Sequence, residues 1–183
     1  MYKIPSSKPF LSEKENFLIN KVIRSGWISS KGSYITKFEN NFNKYLKTKH
    51  SITTTSGTTA LELALKSLNL KNKDEVMVPN LTFAASINAI VNSGLKPKII
   101  DTEKDSVNTS LEIIKKNFNK KIKAIVVVHL MGFPTDIFNI SIFCKKNKIF
   151  LIEDVAESMG GKLNNKMLGT FGDIGCFSFF ANK

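Results

Sequence analysis

The sequence contains little arginine and cysteine and no long apolar segment. Arg24 is the single arginine among 27 basic residues, and the two cysteines, Cys144 and Cys176, form neither a CxxC pair nor a disulfide framework. The longest apolar runs, such as 124–128, are far shorter than the ~20 residues that span a bilayer, which excludes a transmembrane helix. The amino terminus lacks the apolar core of a secretion signal, so we expect a cytoplasmic protein with no membrane partner.

The formal net charge of +12 raises the question of a nucleic-acid partner. Reading of base edges favours the bidentate guanidinium of arginine, yet 26 of the 27 basic residues are lysine. The 18 Asn and 20 Ile residues point to an A/T-rich coding bias as the source of the lysines. Lysine pairs such as 115–116 and 145–146 fall on the polar faces of predicted helices. We therefore expect solvated helix faces and no specific nucleic-acid partner.

Two amphipathic helices are predicted near the start of the chain. The Ser12-x-x-Glu15 capping box precedes a helix over 12–24. The Thr36-x-x-Glu39 pattern reads as a second capping box, ahead of aromatic residues at helical spacing. We therefore expect an amino-terminal helical segment over 1–50.

From residue 51 onward, short β-branched runs alternate with segments of helical period. This alternation is typical of βαβ units and predicts an α/β domain over 51–183, with a mostly parallel sheet flanked by helices. The adjacent Asn164 and Asn165 predict the turn of a small hairpin over 161–169. The predicted strands are 51–55, 75–79, 97–101, 122–128, 149–153 and 175–180, and the predicted helices are 58–68, 82–92, 110–118 and 136–147.

Polar residues follow three of these strands, where ligands of open α/β sheets bind. The first is the turn over 55–60. Gly57 there permits close approach to a ligand, and the N–H groups of Thr58 and Thr59 open a helix whose start favours an anion such as phosphate. The alternative is an ordinary helix N-cap at Ser56 or Thr58.

The second strand end presents Asp154, and the third leads to Lys183. An aspartate leaving an apolar strand needs a partner. No His or Cys flanks Asp154 at ligand spacing, so we expect no metal, which leaves a protonated heterocyclic nitrogen or a capping role. Lys183 follows an aromatic stretch, and a desolvated lysine is a nucleophilic amine suited to Schiff-base chemistry. The alternative for Lys183 is a solvated chain end.

Taken together, a phosphate cradle, an aspartate for a ring nitrogen and a reactive lysine are the three parts that pyridoxal 5′-phosphate (PLP) requires. Six short motifs support this interpretation. Any one of them is weak, but six in this order are specific. They are 26–32 (GWISSKG), 55–61 (TSGTTAL), 78–83 (VPNLTF), 128–132 (VHLMG), 152–158 (IEDVAES) and 169–183 (GTFGDIGCFSFFANK). With them, the sequence resembles the amino-terminal half of the DegT/DnrJ/EryC1/StrS family of nucleotide-sugar aminotransferases, whose large domain has the fold-type I architecture of PLP-dependent transferases.

The resemblance implies the reacting residues. Lys183 matches the Schiff-base lysine, which in the family also moves the proton between substrate and cofactor carbons. Asp154 matches the residue that keeps the pyridine nitrogen protonated. Glu157 matches the position near the cofactor's phenolic oxygen, where many members have Gln and relatives similar to perosamine synthase have Glu.

The resemblance also implies the binding residues. Thr58 and Thr59 match the phosphate-binding helix start beside Gly57, and Ser178 matches a hydroxyl on the same phosphate. Phe83 matches the aromatic residue that stacks on the pyridine ring, and its alternative is core packing.

Other polar and glycine-rich positions have simpler interpretations. His129, at the end of a predicted strand, is either a hydrogen-bonded structural residue or a substrate contact. Cys144 and Cys176 are expected as small buried hydrophobes. The glycine repeat over 169–175 lacks the spacing of a dinucleotide fingerprint, and no helix follows it.

The implied reaction transfers an amino group, with glutamate expected as the donor, to a nucleotide-linked keto sugar. The motifs are most similar to perosamine-synthase-like members, so a 4-keto-6-deoxyhexose used in cell-surface polysaccharide or O-antigen synthesis is expected. Runner-up enzymes are a branch acting at C3 of the sugar and a dehydratase of the same fold. In that dehydratase a His replaces the lysine, so Lys183 argues against it.

Family members are about twice as long and form homodimers in which a loop reaches the partner's phosphate site. The resemblance therefore implies that the rest of the large domain and the small carboxyl-terminal domain are absent from these 183 residues. We expect a truncated product or fragment, or a chain whose remainder lies on another polypeptide. The non-enzymatic alternative is a truncated remnant or a partner subunit. Residues 1–183 alone are expected to be inactive and to hold PLP poorly.

Overall fold

A computed structural model describes residues 8–181 of the chain. The predicted reactive lysine, Lys183, lies outside the described residues. By its internal contacts the chain divides into two compact units. Of the described residues, one unit contains 8–53 together with 180–181, and the other is Thr54–Phe179.

The first unit begins with the helix that the sequence predicts. Helix α1 (Glu13–Arg24) starts at the N-cap Ser12, whose side chain accepts a hydrogen bond from the backbone N–H of Lys14. The Glu15 carboxylate in turn accepts from the backbone N–H of Ser12 at 2.7 Å. The predicted capping box at the start of α1 is therefore confirmed.

The second predicted capping box is wrong. Helix α2 (Ser33–Leu46) begins after the N-cap Gly32, so Thr36 already lies inside the helix. The Glu39 carboxylate instead accepts hydrogen bonds from the backbone N–H and the hydroxyl of Thr53, at 2.8 and 2.9 Å. A partner distant in sequence thus replaces the local one that the pattern indicated.

The predicted strand over 51–55 is also wrong. Residues 51–54 have no regular secondary structure, although three of them are β-branched. The Thr53 N–H is bonded to a carboxylate rather than to a strand, and Ile52 is 74% exposed. A β-branched run becomes a strand only where a neighbouring strand accepts its backbone hydrogen bonds.

The second unit contains a five-stranded parallel sheet and a separate two-stranded hairpin. The strands are β1 (Glu75–Pro79), β2 (Lys96–Ile100), β3 (Ile122–Val128), β4 (Phe150–Asp154), β5 (Lys162–Leu163), β6 (Lys166–Met167) and β7 (Ile174–Cys176). The sheet has the strand order β2-β1-β3-β4-β7, and β5 and β6 form the hairpin. The helices are α3 (Gly57–Ser67), α4 (Ala84–Asn92), α5 (Leu111–Asn117) and α6 (Ile137–Asn147), with a short 3-10 turn at Leu130–Gly132.

Helices cover both faces of this sheet, which confirms the predicted α/β fold. One core cluster joins the buried residues of α3 and α4 to strand residues such as Val126 and Ile152. The other joins those of α5 and α6 to alternate strand residues such as Val127 and Leu151. Because successive strand side chains point to opposite faces, each central strand contributes to both clusters.

The last strand of the sheet, β7, is shorter than predicted. Strand β7 covers only three residues, against the predicted 175–180, because its ladder with β4 stops at the pair Asp154 and Cys176. The predicted hairpin over 161–169 is confirmed: β5 and β6 are antiparallel. Asn164 and Asn165 connect them with φ values of 49° and 62°, as a two-residue hairpin turn requires.

Within residues 8–181, no helix is long and apolar enough to cross a membrane.

Candidate active site

The carboxyl ends of the parallel strands bring together most of the predicted site residues. Thr82 and Phe83 follow β1, His129 follows β3, Asp154 is the last residue of β4, and Ser178 follows β7. This is the edge of an open α/β sheet where ligands bind. Residues that are far apart in the sequence therefore lie along one edge.

Asp154 is buried at this edge, with 6% of its surface exposed. Its Oδ2 accepts a hydrogen bond from the Ser86 hydroxyl of α4 at 2.8 Å. Its Oδ1 accepts one from the backbone N–H of Ala156 at 3.1 Å. Asp154 has the same strand parity as Ile152, so its side chain points to the sheet face that α3 and α4 cover. The site therefore contains a buried carboxylate that is oriented by donors on both oxygens.

The start of α3 forms the second part of the site. Ser56 is the N-cap: its hydroxyl accepts from the Thr59 N–H at 3.2 Å, and the Thr59 hydroxyl accepts from the Ser56 N–H at 3.0 Å. The alternative of an ordinary N-cap is thus realised at Ser56 and not at Thr58. The first N–H groups of a helix have no intrahelical partner and favour an anion.

Gly57 joins this helix start to the segment after β7. A Cβ at Gly57 would lie 3.1 Å from the Cβ and 3.4 Å from the Oγ of Ser178, which is closer than ordinary side-chain contacts. The absence of a side chain at Gly57 therefore lets the Ser178 hydroxyl approach the amino-terminal end of α3. Two predicted phosphate contacts from opposite ends of the unit thus lie next to each other.

Phe83 and Glu157 complete the described part of the predicted site. Phe83 is the N-cap residue of α4 and is 72% exposed, so it does not pack in the core. The half-buried Glu157 accepts a hydrogen bond from the backbone N–H of Met131 at 2.9 Å. Met131 has a left-handed φ of 52°, and this turn aims its N–H at the Glu157 carboxylate.

His129 is a structural residue. It is fully buried, and its Nδ1 accepts from the backbone N–H of Thr135 at 3.1 Å. The other ring nitrogen, Nε2, lies 3.1 Å from a carboxylate oxygen of Glu153. Since Nδ1 acts as an acceptor, Nε2 carries the proton and donates to Glu153. Of the two interpretations left open by the sequence, the hydrogen-bonded structural one applies.

Glu153 is a buried carboxylate that the sequence reasoning missed. It accepts from His129 and from three backbone N–H groups, those of Gly169, Phe171 and Gly172, at 2.7–2.8 Å. Its side chain points to the sheet face opposite that of Asp154. The signal was present, because two adjacent carboxylates on a buried strand must each find partners. Glu153 fixes the loop that leads into β7.

The glycine repeat over 169–175 is explained by close packing in this loop. A Cβ at Gly175 would lie 2.2 Å from the carbonyl oxygen of Gly169, and one at Gly172 would lie 2.5 Å from that of Leu151. Both contacts involve backbone atoms that have little room to move. The repeat therefore allows the loop to pack against β4 and is not a nucleotide fingerprint.

The two cysteines are buried, as expected, with 2% and 4% of their surfaces exposed. Burial raises the pKa of each thiol from its ordinary 9.0 to about 12, and the nearby Asp173 and Asp154 carboxylates act in the same direction on Cys144 and Cys176 respectively. Neither thiol is a nucleophile at neutral pH.

Solved structures define the class of this fold. A sugar aminotransferase of Streptococcus pneumoniae in its PLP form superposes with a TM-score of 0.93 and 29% identity, over 100% of this chain and 50% of that one. GDP-4-keto-6-deoxymannose-3-dehydratase with bound GDP-perosamine superposes with a TM-score of 0.92 and 31% identity, over 98% of this chain and 48% of that one. The fold is the large-domain fold of PLP-dependent aminotransferases.

The family follows from the sequence match. The chain belongs to the DegT/DnrJ/EryC1/StrS aminotransferase family, whose profile matches residues 9–183. GDP-perosamine synthase of Vibrio cholerae is 44% identical over 180 residues, which are 98% of this chain and 49% of that protein. The chain thus spans about half the length of the curated relatives it matches. This family is PLP-dependent.

Proposed function

We propose that the full-length protein containing this chain is a PLP-dependent aminotransferase that transfers an amino group from glutamate to a nucleotide-linked 4-keto-6-deoxyhexose. The observation that carries the proposal is the buried Asp154 carboxylate, held by two donors at the strand edge that also presents Gly57 and Ser178. The similarity to GDP-perosamine synthase supports the sugar class, and the bound GDP-perosamine in a related structure supports a nucleotide-sugar ligand.

The described residues fit a pyridoxal phosphate. Asp154 would hold the pyridine nitrogen in its protonated form, because a buried carboxylate oriented by donors stabilises a facing cation. When bound, PLP supplies an electron-accepting ring that lowers the barrier to breaking the C–H bond of the amino donor. The exposed ring of Phe83 would cover one face of the cofactor, and Glu157 would lie near its phenolic oxygen.

The phosphate of the cofactor would bind between α3 and the segment after β7. The N–H groups of Gly57 and Thr58 and the hydroxyls of Thr58 and Ser178 are donors of the kind that phosphate requires. Thr59 would support this site as part of the helix start, because its own N–H and hydroxyl donate to Ser56. The close approach permitted by Gly57 gives these donors a common target.

Lys183 would be the acid–base residue. Its Nζ would be attached covalently to the cofactor until the amino group of the donor displaces it, and the freed amine would then take up and return the proton of the substrate carbon. The family's homodimer, in which a partner loop contributes to the phosphate site, belongs to the same proposal.

The test uses a full-length protein, meaning residues 1–183 continued by their own carboxyl-terminal half or by that of the Vibrio cholerae relative. Lys183→Ala is expected to abolish turnover and the visible absorbance of lysine-bound PLP together. The matched control is Lys162→Ala, at an exposed lysine of the β5–β6 hairpin, and it is expected to leave both unchanged. Normal transamination by Lys183→Ala would refute the proposal.

Asp154→Asn separates binding from chemistry. A neutral amide cannot hold the ring nitrogen protonated, so PLP should remain bound while most of the activity is lost. A charge-assisted hydrogen bond contributes roughly 1.5–3 kcal/mol, which corresponds to at least about a tenfold loss of kcat. Unchanged turnover would show that Asp154 is only a structural residue.

A further inference from the structure

Ser86 is a fully buried polar residue in the first turn of α4. Its hydroxyl lies 2.8 Å from Asp154 Oδ2, across 68 residues of sequence. It also lies 2.9 Å from the hydroxyl of Thr82, the residue before the N-cap Phe83. Ser86 therefore connects the segment after β1 to the carboxylate at the end of β4.

The single proton of Ser86 fixes the direction of this chain of hydrogen bonds. An ionised carboxylate only accepts, so Ser86 donates to Asp154. The Ser86 oxygen then accepts from the Thr82 hydroxyl at 2.9 Å, since the other acceptor of that hydroxyl, the carbonyl oxygen of Phe83, is farther away at 3.4 Å. Hydrogen bonds in such a chain polarise one another, which strengthens the last donor.

We propose that Ser86 is a positioning residue that holds the Asp154 carboxylate in the orientation and ionised state needed to bind a protonated ring nitrogen. This inference rests on the proposed PLP function. Hydrogen bonds donated to a carboxylate favour its ionised form. The Ser86 hydroxyl on Oδ2 and the Ala156 N–H on Oδ1 come from two different segments, so together they restrict rotation of the carboxylate plane.

A second serine on the same helix provides a control for the loss of a buried hydroxyl. Ser93 is the C-cap residue of α4, and its buried Oγ has no hydrogen-bond partner among the described residues. Ser93→Ala and Ser86→Ala remove the same atom from opposite ends of one helix. Ser93→Ala is therefore the matched control for effects on α4 alone.

The experiment compares Ser86→Ala, Ser93→Ala and Asp154→Asn in the full-length protein loaded with PLP that carries ¹⁵N in its ring. The ¹⁵N chemical shift reports protonation of the ring nitrogen independently of turnover. Steady-state kinetics then give kcat and the KM for glutamate.

In Ser86→Ala we expect the ¹⁵N signal to move part of the way toward that of Asp154→Asn. We expect kcat to fall about ten- to a hundredfold, as for loss of a hydrogen bond to a charged group, while the KM for glutamate changes less than about threefold, because Ser86 acts on chemistry rather than on donor binding. Ser93→Ala should leave the signal and kcat unchanged.

The outcomes separate this inference from the proposed function. If Asp154→Asn leaves both the ¹⁵N signal and turnover intact, the assignment of Asp154, and with it the Ser86 inference, is wrong. If Asp154→Asn changes both while Ser86→Ala behaves like Ser93→Ala, the Ser86 inference alone is overturned. A Ser86→Ala variant that loses activity with an unshifted ¹⁵N signal also overturns it.

Discussion

Replacing Glu153 by Gln tests the buried network behind the candidate site. The carboxylate accepts four hydrogen bonds, from His129 Nε2 and from the backbone N–H groups of Gly169, Phe171 and Gly172. An ionised carboxylate can accept all four. A glutamine of the same size has one accepting oxygen and one donating amide nitrogen, so it cannot do so.

The cost follows from this geometry. The glutamine oxygen could keep the two bonds from Phe171 and Gly172, which share one carboxylate oxygen. Its NH₂ group would then face the N–H of Gly169 and the Nε2–H of His129, which are both donors. A tautomer change in the histidine gives no relief, because an Nδ1–H would face the N–H of Thr135. Losing two charge-assisted hydrogen bonds costs about 3–6 kcal/mol. This is a large share of the free energy of unfolding of a folded protein, which is typically about 5–15 kcal/mol.

The assay is urea unfolding of the full-length protein followed by circular dichroism. Glu62→Gln is the matched control, because its carboxylate accepts one exposed hydrogen bond, from Asn92 at 2.7 Å. We expect the control to change the free energy of unfolding by less than about 0.5 kcal/mol. If Glu153→Gln were as stable as Glu62→Gln, the four-donor network would not stabilise this loop.

Two further predictions concern packing at and behind the site. Gly57→Ala should weaken PLP binding without unfolding the protein, because the new Cβ would press on Ser178. A fluorescence titration measures the affinity for PLP, and an unchanged affinity would contradict the close approach of Gly57 to Ser178. The thiols of Cys144 and Cys176 should resist a disulfide reagent at pH 8 until urea unfolds the chain. Because burial raises their pKa from 9.0 to about 12, the unfolded state ionises first, and the free energy of unfolding should fall as the pH rises from about 9 toward about 12. Rapid labelling of the folded protein would contradict this.

The central strands could be predicted because their own side chains determine them. The predicted bounds 75–79 and 122–128 are those of β1 and β3. Both strands are buried on two faces, and a strand buried in this way has an unbroken apolar run that identifies it in the sequence. The segment over 51–55 has the same β-branched character, but the backbone N–H of Thr53 bonds to the Glu39 carboxylate instead of a strand. Nothing within five residues of Thr53 signals that contact.

The positions of single residues in the candidate site could be predicted from the sequence, but the hydrogen bonds between them could not. Asp154 and Gly57 each stand at a strand or helix end that the sequence pattern locates, whereas Ser178 lies inside the predicted strand over 175–180 and follows the shorter β7 in the structure. The donor that orients Asp154 is Ser86, which looks like an ordinary helix residue in the sequence. Its role depends on which strands are neighbours, and the order β2-β1-β3-β4-β7 is a property of the sheet rather than of any local pattern.

The side chains of the last two residues of β4 point to opposite faces of the sheet and have different roles. Asp154 points toward α3 and α4, where the proposed cofactor contacts lie, and Glu153 points to the opposite face, where it holds the loop before β7. That loop leads through β7 to Ser178, so Glu153 is connected to the site through the backbone. Asp154→Asn should change chemistry first, because the Ser86 hydroxyl can turn to accept from the new amide, whereas Glu153→Gln should change stability first, because the backbone N–H groups around it can only donate. Since the two side chains are adjacent in sequence, a single strand end allows these effects to be measured separately.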